Sequence, residues 1–138
     1  MENLMEMEKN AEILIVEDSE EVLWIMSDVL DRAGFYVDAV TTGKEALRRI
    51  RECPETGLVI LNYLLSDMSG LTVLKRLKKN GSRVKVISTS AMKETREVFV
   101  NAGAFAFLEI PFDIGEFVSL CRQALNGENA ESGIASQN

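Results

Sequence analysis

The chain has 138 residues, 46% of them hydrophobic and 27% charged, with a formal charge of −7 and no histidine. That length suits one domain with a core large enough to need no staples, in a composition ordinary for a soluble fold. The acidic balance argues against a broad DNA-binding surface, which needs clustered Lys and Arg. The missing histidine, with Cys53 and Cys121 far apart, argues against a zinc site or a His-based triad. No apolar run approaches the ~20 residues of a membrane span, and the first residues lack a signal-peptide core. The expectation is a cytoplasmic protein without a membrane partner, both thiols being small reduced side chains.

Residues Met1 to Asn10 are acidic and Met-rich without a clear period, and the expectation over 1–11 is an N-terminal arm, either mobile or with a short extra helical turn. Glu12-Ile13-Leu14-Ile15-Val16 is a buried-strand signal ending at Glu17-Asp18. Ser19 offers an N-cap, with Glu20 and Glu21 suited to a first helical turn. In that helix Val22, Ile25, Met26, Val29, Leu30 and Ala33 are expected to share the buried face, and Gly34 ends it. Phe35 to Val40 predicts a short strand. Thr41 or Thr42 caps a helix through Ala46, Leu47 and Ile50 that must stop near Cys53-Pro54.

Leu58-Val59-Ile60-Leu61 is an uninterrupted apolar run, as in a strand covered on both faces, and it stops at Asn62 before a loop that closes on Gly70. Leu71, Leu74 and Leu77 mark the next helix, up to Asn80-Gly81. Val84 to Ile87 predicts a fourth strand leading to Ser88-Thr89-Ser90-Ala91, and a helix over 93–102 stops at Gly103. Ala106 to Leu108 is a fifth strand, followed by Glu109-Ile110-Pro111-Phe112. Asp113 and Glu116 have capping-box spacing, ahead of a stripe of Ile114, Phe117, Val118, Cys121 and Leu125. Residues 126–138 are polar and are expected to form a disordered tail.

Strand and helix alternate five times over residues 12–125. That predicts an α/β fold: a doubly wound, parallel five-stranded sheet between two layers of helices. Chemistry in open parallel sheets sits outside the carboxyl ends of the strands. Those ends carry Glu17-Asp18, Asn62, Ser90 and Ile110-Pro111.

Together with Met68-Ser69-Gly70, Gly103-Ala104 and Pro111-Phe112, these motifs make residues 12–125 resemble the receiver domain of two-component response regulators. The resemblance implies a flavodoxin-like strand order 2-1-3-4-5. It also implies phosphoryl transfer from a histidine kinase to an aspartate at position 62. Acidic residues at 17 and 18 would hold Mg²⁺, a hydroxyl at 90 would engage the phosphoryl group, and a lysine at 110 would neutralise developing charge. Glu17, Asp18 and Ser90 keep that chemistry. Asn62 presents a poorly nucleophilic amide at the phosphoacceptor position, and Ile110 carries no charge at the lysine position.

The two departures compensate. Losing the lysine alone would leave three crowded carboxylates; losing the aspartate as well restores the formal charge of a standard pocket. The expectation is an atypical, stand-alone receiver that is not an enzyme and signals through protein contacts without aspartyl phosphorylation. Mg²⁺ is not required; Glu17, Asp18, the Asn62 side-chain oxygen and the Leu64 carbonyl could hold it only weakly. Asp67 is expected as an exposed loop carboxylate, and Ser90 lacks a nearby base. An alternative is a working phosphorelay receiver in which Asn62 is an engineered replacement of the aspartate. A more distant one is a haloacid-dehalogenase-like phosphatase, which would need an aspartate where Asn62 stands.

Partner contacts are expected at Trp24, on the side of the first helix opposite its buried face, and at Phe99, Phe105 and Phe107. Phe107 holds the position of the family's aromatic switch, as Ser90 holds that of its hydroxyl switch. The fourth helix, fifth strand and fifth helix form the face through which the family docks or dimerises. A sensor kinase, an output protein or a second copy is the expected partner, with no direct contact to nucleic acid. The resemblance also implies a cis bond before Pro111, where cis is least costly.

Overall fold

The computed structural model describes residues 11–127. Apart from Ala11, Asn126 and Gly127, the expected arm and tail lie outside the described residues. The strands are β1 (Ile13–Val16), β2 (Val37–Val40), β3 (Leu58–Asn62), β4 (Lys85–Ser90) and β5 (Ala106–Glu109). The helices between and after them are α1 (Glu20–Arg32), α2 (Gly43–Glu52), α3 (Gly70–Lys79), α4 (Arg96–Asn101) and α5 (Ile114–Leu125). All pairings are parallel, in the order β2-β1-β3-β4-β5. This is the flavodoxin-like doubly wound topology expected from the alternation and the family resemblance.

Side chains alternate across a strand, so each central strand feeds two cores. Ile13, Ile15, Leu58 and Ile60 pack with Met26 and Leu30 of α1 and Phe117 and Cys121 of α5. Leu14, Val16, Val59 and Leu61 face the other way, against Val73, Leu74 and Leu77 of α3 and Phe99 of α4. Burial of Cys121 pushes its thiol up to about 12, which keeps it protonated and unreactive at neutral pH.

Side-chain caps start four of the helices. Ser19, Thr42, Ser69 and Asp113 accept from the amides of Val22, Glu45, Thr72 and Glu116 respectively.

The structure corrects several local expectations. Ile25 is 45% exposed; Leu23 packs on the core instead, because one residue turns a helix by about 100° and carries Ile25 off the stripe. Ile114 is also exposed, standing at the first residue of α5 before the stripe reaches the core. β4 runs on to Ser90, since parallel pairing with both β3 and β5 holds its polar end in the sheet. The expected 93–102 helix starts as a 3₁₀ turn, Lys93–Thr95, before α4.

Candidate functional site: the cleft at the strand ends

β1 and β3 are neighbours, so their carboxyl ends bring Glu17 and Asn62 to one crevice. β4 and β5 add Ser90 and, just past the sheet, Ile110. These residues, with Val22 and Leu64, line a cavity of about 210 Å³. Glu17 is buried, and its carboxylate accepts a 3.0 Å bond from the Ser19 amide. Burial pushes its carboxyl above the ordinary 4.5; the Ser19 bond pulls it down, and the neighbouring Asp18 charge pushes it up again. Asp18 itself is exposed at the rim.

Asn62 is held at both ends of its amide. Its Nδ2 donates to the Leu64 carbonyl at 2.8 Å, and its Oδ1 accepts from the Thr89 hydroxyl at 3.3 Å. Thr89 is fully buried on β4 beside Asn62 and did not stand out in the sequence, where Ser90 drew attention as the family's hydroxyl. Only the strand register, which pairs Asn62 with Thr89, brings it into play. Ser90 turns its hydroxyl to its own loop, accepting from the Met92 amide at 2.9 Å. Gly70 is required by close approach: a Cβ there would run into the Asn62 backbone carbonyl.

The donor set departs from that of a standard receiver at position 62, where an amide stands in place of a carboxylate beside Glu17 and Asp18. The Leu64 carbonyl, one of the oxygens that the divalent cation of a standard receiver would use, is taken by the Asn62 amide. Among the described residues no three Asp, Glu, His or Cys side chains come together as a metal-holding group.

Asp67 is exposed, as expected, but not idle. Its two carboxylate oxygens accept from the Gly43 and Lys44 amides, both at 2.9 Å, tying the β3–α3 loop to the start of α2. The slight loss of water around its carboxyl pushes it up, but the bonds from Gly43, Lys44, and the Asp67 and Met68 amides outweigh that and hold it below 3.8. Asp67→Ala is expected to cost about 1 kcal/mol, the usual cost of losing a helix cap. Because the folded carboxyl is depressed, its contribution is present above 3.8 and fades as pH falls through the folded value. Urea unfolding of parent and variant at neutral and acid pH checks both the size and the fading.

The contact expectations divide. Trp24 is 66% exposed, beside Ser27, Asp28 and Asp31. Phe105 is half-buried against the α1–α5 core, with the Lys85 ammonium 5.4 Å from its ring. Phe99 and Phe107 are wholly buried, so they are not contact residues in this conformation. Their rings stack at 6.1 Å and fill the core under α4, with Tyr63 edge-on to Phe99 at 5.7 Å. Phe107 is therefore turned inward. The Ile110–Pro111 peptide bond is cis.

A parallel 2-1-3-4-5 sheet with an acidic group, a central side chain and a hydroxyl converging at its strand ends defines a receiver-type signalling domain. The chain belongs to the response regulator receiver domain family, which it matches over residues 13–122. It is 30% identical over 117 residues to the chemotaxis protein CheY of Bacillus subtilis, covering 83% of this chain and 97% of that protein. The alkaline phosphatase synthesis transcriptional regulatory protein SphR of Synechococcus elongatus is 35% identical over 124 residues, which cover 82% of this chain and 48% of SphR. The chain thus spans about half the length of SphR, and likewise of the Bacillus subtilis regulator YkoG.

Solved structures agree. A CheY-like receiver domain protein from Methanospirillum hungatei superposes with a TM-score of 0.75 at 28% identity, over 83% of this chain and 93% of that one. The receiver domain of NtrX from Brucella abortus gives 0.77 at 25% identity, over 83% and 98%. Among the described residues no helix is long and apolar enough to cross a membrane.

Proposed function

We propose that this receiver works without aspartyl phosphorylation, by presenting its folded surface to a protein partner in two-component signalling. The reading is carried by Asn62: an amide stands at the phosphoacceptor position, bonded to both Leu64 and Thr89. An amide oxygen is a far weaker nucleophile than a carboxylate, and its nitrogen lone pair is delocalised, so no acyl phosphate forms there. Ile110 supports the same reading, because an apolar side chain on the cavity wall offers developing phosphoryl charge nothing.

Mg²⁺ binding is weak on this account. Glu17 and Asp18 remain, but a cation would have to displace the Asn62 amide from the Leu64 carbonyl. The partner is a sensor kinase, an output protein or a second copy, with Trp24 and Phe105 as the contact residues still partly or largely exposed. The fourth helix–fifth strand–fifth helix face remains the proposed docking face, now with Phe105 as its aromatic. In this reading the domain is a binding module and not an enzyme.

The alternative, an engineered receiver, requires that aspartate alone at 62 restore full transfer. The test compares the parent, Asn62→Asp and Asn62→Asp/Ile110→Lys with acetyl phosphate and Mg²⁺. The parent is expected to take no label at 62, and the double variant to be labelled faster than the single, by a factor on the order of 10²–10³ if the lysine acts as one preorganised charge stabiliser. A single variant as fast as the double would favour the engineered account.

A further inference from the structure

A second concave surface, sharing no lining residue with the cleft, runs between α2 and α3. Its two hollows, of about 510 and about 670 Å³, share Leu47 and Arg51 and so form one trough. Lys44 and Arg51 both line it, so it follows α2 for about two turns, ~10 Å, before continuing to Pro54 and Arg83. Leu47 and Met68 are half-buried and leave apolar surface on its floor, with Ile50 and Leu77 buried in the same floor.

The walls carry Lys44, Arg48, Arg51, Arg76 and Arg83, all exposed, against one carboxylate, Glu45. Five of the chain's 15 Lys and Arg thus flank one groove in a protein of net charge −7. Arg48 is paired with Glu45 and Glu52, but among the described residues Lys44, Arg51, Arg76 and Arg83 make no ion pair. Helix stability accounts for only two of these four. Arg51 and Arg76 suit the last turns of α2 and α3. Lys44 stands in a first turn, where the helix dipole disfavours a cation, and Arg83 lies in the loop after α3.

We infer that this trough seats an acidic amphipathic helix of a partner protein. Charge complementarity chooses the occupant: unpaired cations on both walls attract carboxylates, and the aliphatic stems of the arginines widen the apolar floor. A helix presents the matching pattern, an apolar stripe at i, i+3, i+4 and i+7 for Leu47 and Met68, with Asp or Glu on its flanks for the walls. Among the described residues no aromatic side chain lines the trough, so it offers nucleic-acid bases no stacking platform. The inference adds a docking surface to the reading above without resting on it, because it holds whether or not residue 62 accepts a phosphoryl group.

The test uses the full chain and a fluorescein-labelled peptide of about 12 residues, roughly three helical turns, with Leu at i, i+3, i+4 and i+7 among glutamates. Fluorescence anisotropy is expected to show saturable binding that weakens as salt is raised. Arg51→Glu/Arg76→Glu, at exposed positions, is expected to weaken it about tenfold or more. Lys75→Glu/Lys79→Glu makes the same charge change on α3 outside the trough and should alter affinity far less. In ¹H–¹⁵N spectra, which also report that each variant is folded, the peptide should shift the amides of Lys44, Leu47, Arg51 and Arg83 and leave those of α5 in place. Absence of binding, or equal binding to the two double variants, would overturn the inference. So would equally tight binding of a scrambled peptide of the same composition, since charge without an apolar stripe would then suffice. A thymidine oligonucleotide that binds more tightly and moves the same amides would overturn it in favour of nucleic acid. Trough amides that shift with protein concentration alone would overturn it in favour of a second copy.

Discussion

Phe99→Ala is expected to cost about 3–5 kcal/mol of folding stability, the range for truncating a buried large aromatic. Phe99 has no exposed surface, stacks on Phe107 and meets Tyr63 edge-on, so removing its ring leaves a hole bordered by two other rings. Against a total of about 5–15 kcal/mol for a domain, that loss brings the variant close to unfolding at moderate temperature. Phe99→Leu fills most of the volume and should lose much less. Urea titrations of the three proteins decide it. A loss below about 1 kcal/mol for Phe99→Ala would contradict the core role and return Phe99 to the surface.

Asn62→Asp carries the second large effect. The substitution removes the N–H that satisfies the Leu64 carbonyl and sets a third carboxylate beside Glu17 and Asp18, with Ile110 unable to answer it. Without divalent metal at neutral pH the variant should be less stable than the parent, chiefly because a new carboxylate at 62 stands beside the buried Glu17 carboxyl. Mg²⁺ should then restore stability in the variant by mass action, about 1.4 kcal/mol at ten times its dissociation constant, and do little for the parent.

The pH dependence has a definite sign. Burial already raises the Glu17 carboxyl above 4.5, so its contribution to stability is fully present below that value and is lost as pH rises through the folded one. A third carboxylate raises it further, so the difference between variant and parent should shrink on acidification. Thermal melts across pH, with and without Mg²⁺, measure all three effects. Equal Mg²⁺ stabilisation of parent and variant would mean that the Asn62 amide does not exclude the cation.

The alternation of apolar runs with capped helical stripes made the fold legible, because each local signal agreed with the next. Ser19, Thr42 and Asp113 cap where their spacing says they should. The cleft was legible through the ends of the strands, which a parallel sheet collects on one edge. Side-chain direction was harder. Phe99 and Phe107 are apolar residues whose motif positions suggested a surface, but their facing depends on how α4 sits over β4 and β5. Thr89 and Asp67 were undervalued for a related reason. Their partners, Asn62 and the α2 amides, are 27 and 23–24 residues away, and no local pattern reports such pairings. Ile25 and Ile114 show the limit of helical periodicity, which gives a stripe but not how far the core extends along it.

The central claim is that the cleft keeps a receiver's form while residue 62 takes no phosphoryl group. Its most direct measurement is the intact mass of the unsubstituted chain after incubation with acetyl phosphate and Mg²⁺, followed by mapping of the Leu58–Gly70 peptide. An unchanged mass is the result the account requires. A peptide heavier by one phosphoryl group, with the group on residue 62, would contradict it.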